Sequence, residues 1–334
     1  TRVAASFDWN FAAARWKQRE KRNTLQKNDE SAKIFLDCWA RVYYNRGKNY
    51  TGESHLTAGG SKKRECNMKI VFIGTGNMGG AILRGMIASG YVAAEDVMAC
   101  LHSEEKRQAL AAEIPGLTCT TDPKALAHEF RMIVLAVKPQ VLGELLDSIK
   151  GEINDRVLVS IAAGWTMDML TSKVAGTTAT LLRVMPNTPA LVGAGMTAIC
   201  RQTTLSAADL AYAQGIFDAI GETAVIDEKL FDGFIAVSGS SPAYIFMLIE
   251  AMADAAVREG IRRPDAIKMA AQAVLGSAKM VLETGKHPGQ LKDEVCSPAG
   301  TTIEAVEMLE KRGFRAAVQD AMAVCAEKSR QMSK

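Results

Sequence analysis

One stretch, Lys69 to Ile82, constrains the fold more than any other: Lys-Ile-Val-Phe-Ile-Gly-Thr-Gly-Asn-Met-Gly-Gly-Ala-Ile. Four β-favouring residues end in Gly74, and the glycines at 74, 76 and 79 lead into a helix-like run from Ala81 to Ser89. Strand, tight turn and helix in succession aim unpaired backbone N–H groups and the positive end of a helix dipole at one point in space. In this spacing Gly74 allows the turn, Gly76 lets the backbone approach a pyrophosphate, and Gly79 lets the helix pack close to the strand. The glycines alone are a weak signal, shared with ordinary strand-to-helix turns. The strand before them and the helix after them point to a dinucleotide site over Gly74, Thr75, Gly76, Asn77, Met78 and Gly79.

From Met68 onward strand-like and helix-like stretches alternate. Strand-like runs at 69–73, 96–101, 131–137, 156–161 and 179–184 are separated by helical stretches of suitable length. That rhythm predicts an α/β fold, a Rossmann-type doubly wound parallel sheet covered on both faces. The acid expected at the end of the second strand, where it would hold a ribose 2′-hydroxyl, is replaced by Cys100-Leu101-His102-Ser103. Glu104 and Glu105 fall in the next helix, whereas Ser103, Lys106 and Arg107 are placed to receive a 2′-phosphate. NADPH is therefore favoured, with NADH as the alternative and a solvated helix start as the bland reading of those charges. Two more strand ends, Ala136-Val137-Lys138-Pro139 and Ala162-Ala163-Gly164, fall on the edge where ligands of open α/β sheets collect, which predicts cofactor contact. The rigid polar loop Arg183 to Pro189 is expected to line the same cleft.

Near residue 230 the rhythm stops. Residues 68–230 read as the NADP-binding domain and 231–334 as an all-α domain rich in Ala and Met. Ser241 reads as the N-cap of a helix with Pro242 at its first position, running to about Glu259 and stopping at Gly260. Pro264 opens a second helix that reaches Glu283 before Gly285. Both are apolar round more of their circumference than one core face requires, which predicts a second subunit. The most apolar helical stretch, Ala243 to Val257, is interrupted by Glu250 and Asp254, so no membrane span is expected. Seven scattered cysteines without a C-x-x-C pair, and four histidines, argue against a disulfide framework or a metal site and for reduced thiols in the cytoplasm. Residues 1–67 differ from the rest, with 14 Lys and Arg against 7 Asp and Glu and three of the four tryptophans. They are expected to be an appended or disordered extension rather than a nucleic-acid arm or a transit peptide.

A second site signal lies near the C-terminus. Thr301, followed three residues later by Glu304, matches a capping box, which assigns Thr301 a structural role and leaves Thr302 without one. Pro298, Ala299 and Gly300 ahead of that cap keep the backbone open, so its N–H groups suit a carboxylate as well as they suit a plain helix start.

Five segments in order carry a resemblance to the pyrroline-5-carboxylate reductases: Gly74-Thr75-Gly76-Asn77-Met78-Gly79, Ala136-Val137-Lys138-Pro139, Met185-Pro186-Asn187-Thr188-Pro189, Ser238-Gly239-Ser240-Ser241-Pro242-Ala243-Tyr244, and Val295-Cys296-Ser297-Pro298-Ala299-Gly300-Thr301-Thr302. The resemblance covers residues 68 to about 332. It implies hydride transfer from NADPH to the C=N carbon of 1-pyrroline-5-carboxylate, giving proline, and homodimers formed through the C-terminal helices in a ring of five dimers. It implies that Thr302 is the catalytic hydroxyl at the imine nitrogen, that Ser297 and the Gly300-Thr301 backbone belong to the substrate loop, and that Glu228 lies beside the substrate. The chain departs from the family in two places: Ala299 stands where a glycine is usual, and Asp122-Pro123 stands where some relatives have an Asn. Partners expected are a small-molecule substrate and further copies of the chain, with no nucleic acid and no membrane. Two rival functions stay open, a β-hydroxyacid dehydrogenase with Lys268 or Lys279 as its acid/base, and a non-catalytic NADPH-binding scaffold.

Overall fold

A computed structural model describes residues 68–124 and 130–333. The basic N-terminal segment, and with it the expectation that it is an appendage, lies outside the described residues. Eight strands form one sheet: β1 (Ile70–Ile73), β2 (Val97–Cys100), β3 (Thr118–Thr120), β4 (Met132–Leu135), β5 (Val157–Ser160), β6 (Thr180–Met185), β7 (Gly195–Cys200) and β8 (Gly221–Ile226). Their order is β3-β2-β1-β4-β5-β6-β7-β8, and every neighbouring pair is parallel except β6 with β7. The first six strands follow the doubly wound dinucleotide-binding order, whose direction reverses between β1 and β4. The antiparallel β7 modifies the all-parallel expectation, and β3, β7 and β8 escape a sequence search. β3 has three residues, and β7 and β8 mix small and polar residues with the apolar ones, so none shows a continuous apolar run.

Helices cover both faces of the parallel part: α1 (Asn77–Ala88), α2 (Glu104–Glu113), α3 (Pro139–Ile149), α4 (Met167–Lys173) and α5 (Ala207–Asp218). Because side chains alternate along a strand, β1 serves two cores at once. Ile70 and Phe72 pack with Ile82, Leu83 and Met86 of α1 and with Ile216 and Phe217 of α5. Val71 and Ile73 pack with Leu142 and Leu146 of α3 and Leu170 of α4.

After β8 the chain is helical: α6 (Phe231–Phe234), a wide π-type turn (Ile235–Gly239), α7 (Ser241–Arg258), α8 (Arg263–Thr284), α9 (Pro288–Val295), α10 (Thr301–Lys311) and α11 (Phe314–Met332). Gly260 (φ 95°) and Gly285 (φ 65°) end α7 and α8 in the left-handed conformation. Ser241, however, is not an N-cap. α6 runs through the wide turn into α7, where the Ser240 N–H donates five residues back to the Ile235 carbonyl at 2.8 Å. Pro242 has no N–H to offer the Ser238 carbonyl four residues behind it, and Asn187 Nδ2 supplies that hydrogen bond instead at 3.0 Å, with a second at 3.0 Å to Ser238 Oγ. The proline signal is real but marks a wide turn stabilised from another part of the chain.

α11 returns to pack on α6 and the wide turn, where Ser329 Oγ donates to Asp232 Oδ1 at 2.6 Å. α7 and α8 pair with each other, and much of their apolar surface stays uncovered: Phe246 is 64% exposed, Met247 69% and Leu282 78%. The continuous helical run Glu228–Arg258 is long enough to cross a membrane, and its most apolar stretch has a mean hydropathy of 1.4, so by length and composition alone it passes for a span. Sequence alone divides this run at Ser238 to Pro242, which reads as a loop.

Thr197 on β7 is 1% exposed, and its hydroxyl is the buried side-chain polar atom without a hydrogen-bond partner among the described residues. Burying an unsatisfied hydroxyl costs about 1–3 kcal/mol. Thr197→Val is expected to raise Tm by roughly 2–4 °C per kcal/mol recovered, checked by thermal unfolding; a comparable fall would show that the hydroxyl is satisfied in the assembled protein.

Candidate active site

The glycines at the end of β1 each meet a different steric demand. Gly74 has φ 94°, and a Cβ there would lie 2.7 Å from the Ala136 carbonyl oxygen. Gly79 is buried in α1, where a Cβ would lie 2.5 Å from the Gly74 carbonyl oxygen and 2.7 Å from the Ala136 Cβ. Gly76 has nothing within 4 Å of its Cβ direction and is the uncapped N-cap of α1. The backbone thus folds tightly on the protein side of the loop and leaves it open on the other, with the first N–H groups of a 12-residue helix facing the opening. Ala136 and Val137, which end β4, press against Gly74 and form the other side of the switch point.

At the neighbouring strand end, Ser103 is the N-cap of α2 and accepts weakly from the Lys106 N–H at 3.5 Å. Arg107 forms a two-pronged pair with Glu104, 2.7 and 2.5 Å, which holds the exposed Glu104 carboxyl down at about 2. Lys106 stays exposed. Burial, and secondarily the Asp122 carboxylate, push the Cys100 thiol at the end of β2 up to about 11, which keeps it uncharged at neutral pH. Asp122 itself accepts from the Lys124 N–H at 2.9 Å, a local turn role.

Side chains from separate elements staple the rest of this edge. Lys138 is exposed at the N-terminus of α3. Trp165 Nε1 donates to the Pro139 carbonyl at 3.0 Å, joining the end of β4 to the Ala162-Ala163-Gly164 segment. Glu228 Oε1 accepts from Arg183 Nη1 at 2.6 Å and from the Met167 N–H at 2.7 Å. Arg183 is 4% exposed, and its guanidinium stacks on the Phe231 ring at 4.4 Å. Asn187 joins the loop after β6 to the wide turn and accepts from the Met196 N–H at 2.9 Å. The sequence placed Arg183 and Asn187 in a cleft-lining loop but held no sign of these partners. Trp165 carries no sequence signal for this role, since an indole between Gly164 and Thr166 looks like any surface aromatic.

The Ser297 to Thr302 loop differs from its expected form. Gly300, with extended φ −86° and ψ 171°, is the residue before α10, so Thr301 sits inside the helix and makes no capping bond. Thr301 and Thr302 are thus alike in having no side-chain capping role, and the capping box that separated them does not form. Pro298 and Ala299 are the central residues of a turn closed by the Gly300 N–H to the Ser297 carbonyl, 3.0 Å. Ala299 has φ 54°, in a position that turns of this kind give to glycine. A Cβ at Gly300 would lie 2.3 Å from Ser297 Oγ, so a side chain there requires the serine hydroxyl to turn away. Among the described residues no hydrogen bond or ion pair joins this loop to the sheet. Lys268 and Lys279, the acid/base of the rival dehydrogenase reading, are both exposed, and Lys279 lies 3.5 Å from Glu283.

A left-handed alanine costs about 1–2 kcal/mol, of which glycine returns about 0.5–1 through its freer unfolded chain. Ala299→Gly is expected to stabilise the protein by about 0.5–1 kcal/mol in thermal or urea unfolding. A lower midpoint would mean that the turn relaxes away from positive φ.

Comparison with known proteins fits this geometry. Residues 228–332 match the family described as pyrroline-5-carboxylate reductase dimerisation, and residues 69–164 match that described as NADP oxidoreductase, coenzyme F420-dependent. The chain is 51% identical over 267 residues to the pyrroline-5-carboxylate reductase of Escherichia coli (strain K12), covering 80% of this chain and 98% of the relative. It is 42% identical over 269 residues to that of Methanosarcina acetivorans, covering 80% and 99%. The crystal structure of the Plasmodium falciparum enzyme with NADP bound superposes with a TM-score of 0.73 at 32% identity, covering 80% of this chain and 99% of that one. Over the whole stretch from the glycine loop to the last helix, this chain belongs to the pyrroline-5-carboxylate reductase family.

Proposed function

We propose that the protein reduces 1-pyrroline-5-carboxylate to L-proline with NADPH. The observation that carries this reading is the open cradle at Gly76, set at the sheet's switch point in a chain 51% identical to a known reductase. A Cβ at Gly76 would fill that cradle and touch nothing of the protein, which fits a pyrophosphate held by the Gly74–Gly79 backbone. Ser103, with Lys106 and Arg107, holds the 2′-phosphate. Ala136, Val137, Lys138, Pro139, Ala162 and Ala163 border the nicotinamide half. The bound cofactor supplies the hydride, and the chain supplies orientation and charge. Residues 68–230 form the cofactor domain, and residues 231–334 form the substrate and dimerisation domain.

Ser297 and the Gly300-Thr301 backbone hold the substrate carboxylate at the N-terminus of α10, where the helix dipole favours an anion. The Thr302 hydroxyl stands at the imine nitrogen. A hydrogen bond there makes the C=N carbon a better hydride acceptor and strengthens as the nitrogen gains electron density, so it stabilises the transition state more than the bound substrate. The uncovered apolar faces of α7 and α8 meet those of a second copy, and dimers assemble into a ring of five. The described cysteines, Cys100, Cys119, Cys200, Cys296 and Cys325, are all free thiols, in keeping with the cytoplasm.

The test is NADPH oxidation by the purified full chain. Turnover with pyrroline-5-carboxylate supports the reductase, turnover of 3-hydroxy acids supports the dehydrogenase, and tight NADPH binding without turnover supports the scaffold. Gly76→Ala should leave Tm unchanged and weaken NADPH binding by roughly tenfold or more, measured by NADPH fluorescence, because the methyl group occupies only cofactor space. Gly79→Ala has no such room and should destabilise the fold itself. Thr302→Ala should lower kcat about 100-fold with NADPH affinity unchanged, and Thr302→Ser should retain most activity. A near-normal kcat in Thr302→Ala would remove that hydroxyl from the chemistry.

A further inference from the structure

We infer that Arg183 and Glu228 are positioning residues for hydride transfer: their ion pair fixes the cofactor edge of the sheet to the helical half that carries the substrate loop. The inference rests on the reductase reading above. Four separate pieces of chain meet at Glu228. Oε1 accepts from Arg183 at the end of β6 and from the Met167 N–H at the start of α4, its own N–H donates to Gln202 Oε1 at 2.9 Å, and Arg183 stacks on Phe231 in the first turn of the helical half. Met167 lies three residues after Gly164 of the Ala162-Ala163-Gly164 segment, and Arg183 lies two residues before Met185-Pro186-Asn187. Movement at Glu228 would therefore shift the Ala162-Ala163 border of the nicotinamide half, and with it the cleft-lining loop after β6, relative to the helices.

The pair is a poor choice for stability alone. The Arg183 side chain is 5% exposed and that of Glu228 23%, so both charges lose much of their hydration, and apolar residues of similar volume serve a buried site at least as well. An ion pair adds direction that apolar packing lacks. The guanidinium is planar, and its stacking on Phe231 together with the 2.6 Å contact fixes its plane and its reach. Neighbouring charges do not compete, since Asp227 pairs with Arg201 at 2.8 Å on the exposed side. The family resemblance places Glu228 beside the substrate, and its Oε1 accepts from two internal donors, which suits a support.

Glu228→Gln keeps an acceptor for the Met167 N–H and removes the charge, Arg183→Lys keeps the charge and removes the planar stack, and the Arg183→Met, Glu228→Leu double variant removes both charges together. Measured on the full chain are Tm, the NADPH dissociation constant, KM for pyrroline-5-carboxylate, kcat, and the primary deuterium isotope effect on kcat with deuterated NADPH. The expected result is a kcat lower by roughly tenfold or more in all three, with an enlarged isotope effect and with NADPH affinity and KM within about threefold of the parent, because a misplacement near 1 Å slows transfer without preventing binding. The double variant should keep its Tm and still not recover kcat. A raised KM with intact kcat would make Glu228 a substrate ligand and overturn the inference; so would a lowered Tm with unchanged kcat per folded molecule. Variants as fast as an active parent would overturn it alone, whereas a parent that leaves NADPH unoxidised would overturn the reductase reading and the inference with it.

Discussion

The architecture depends on how closely α1 approaches the strands beneath it. Gly79 meets the Gly74 carbonyl and the Ala136 methyl at distances where no side chain fits, so the helix axis is pinned over the gap between β1 and β4. Because Ile70 to Ile73 are buried on both faces, that gap cannot widen without disturbing two cores. A helix held there has its uncapped N-terminus at the one place where neighbouring strands send their helices to opposite faces and leave a crevice. Binding capacity thus follows from a packing constraint: the residues that make the turn tight also keep its outer side bare.

What could be read from the sequence was whatever is settled within a few residues. The glycine loop and the helix stops at Gly260 and Gly285 are backbone effects, visible in one short segment, whereas the glycine-like turn at position 299 was signalled only by the family resemblance. Failures came where a local signal was answered from far away. Pro242 looks like a helix start until Asn187, 55 positions earlier, takes over the carbonyl that the proline cannot serve. Glu228 looks free until Arg183 reaches it across 45 positions. The Thr301 capping box failed for a smaller reason: an extended Gly300 can occupy the position before a helix as readily as a threonine, and that shift of one residue removes the box. β7 and β8 went unseen because their partners, not their composition, make them strands.

The same distinction separates the two halves of the site. The cofactor side is built on strand ends held by sheet hydrogen bonds and two cores, and its shape belongs to the single chain. The Ser297 to Thr302 loop, proposed above as the substrate side, hangs on α10, which within the chain packs mainly on α11. α11 in turn reaches the segment after β5, where the Met332 carbonyl would lie 3.1 Å from a Cβ at Gly164. One chain therefore specifies the cofactor edge firmly and the substrate loop only through an intermediary.

That imbalance bears on why the helical half associates. Phe246, Met247, Leu275 and Leu282 are each more than half exposed in the single chain, and burying side chains of this kind contributes about 1.5–3 kcal/mol apiece. Covering them on α7 and α8 would also restrain the helix that leads into α9, and through it the loop before α10. Association and the order of the substrate loop are then linked equilibria: whatever stabilises one stabilises the other, and dilution weakens both. The cofactor edge, pinned by Gly79 and Ala136, stands outside that linkage. Loss of the second copy should therefore leave the cofactor site formed while the loop opposite it loosens.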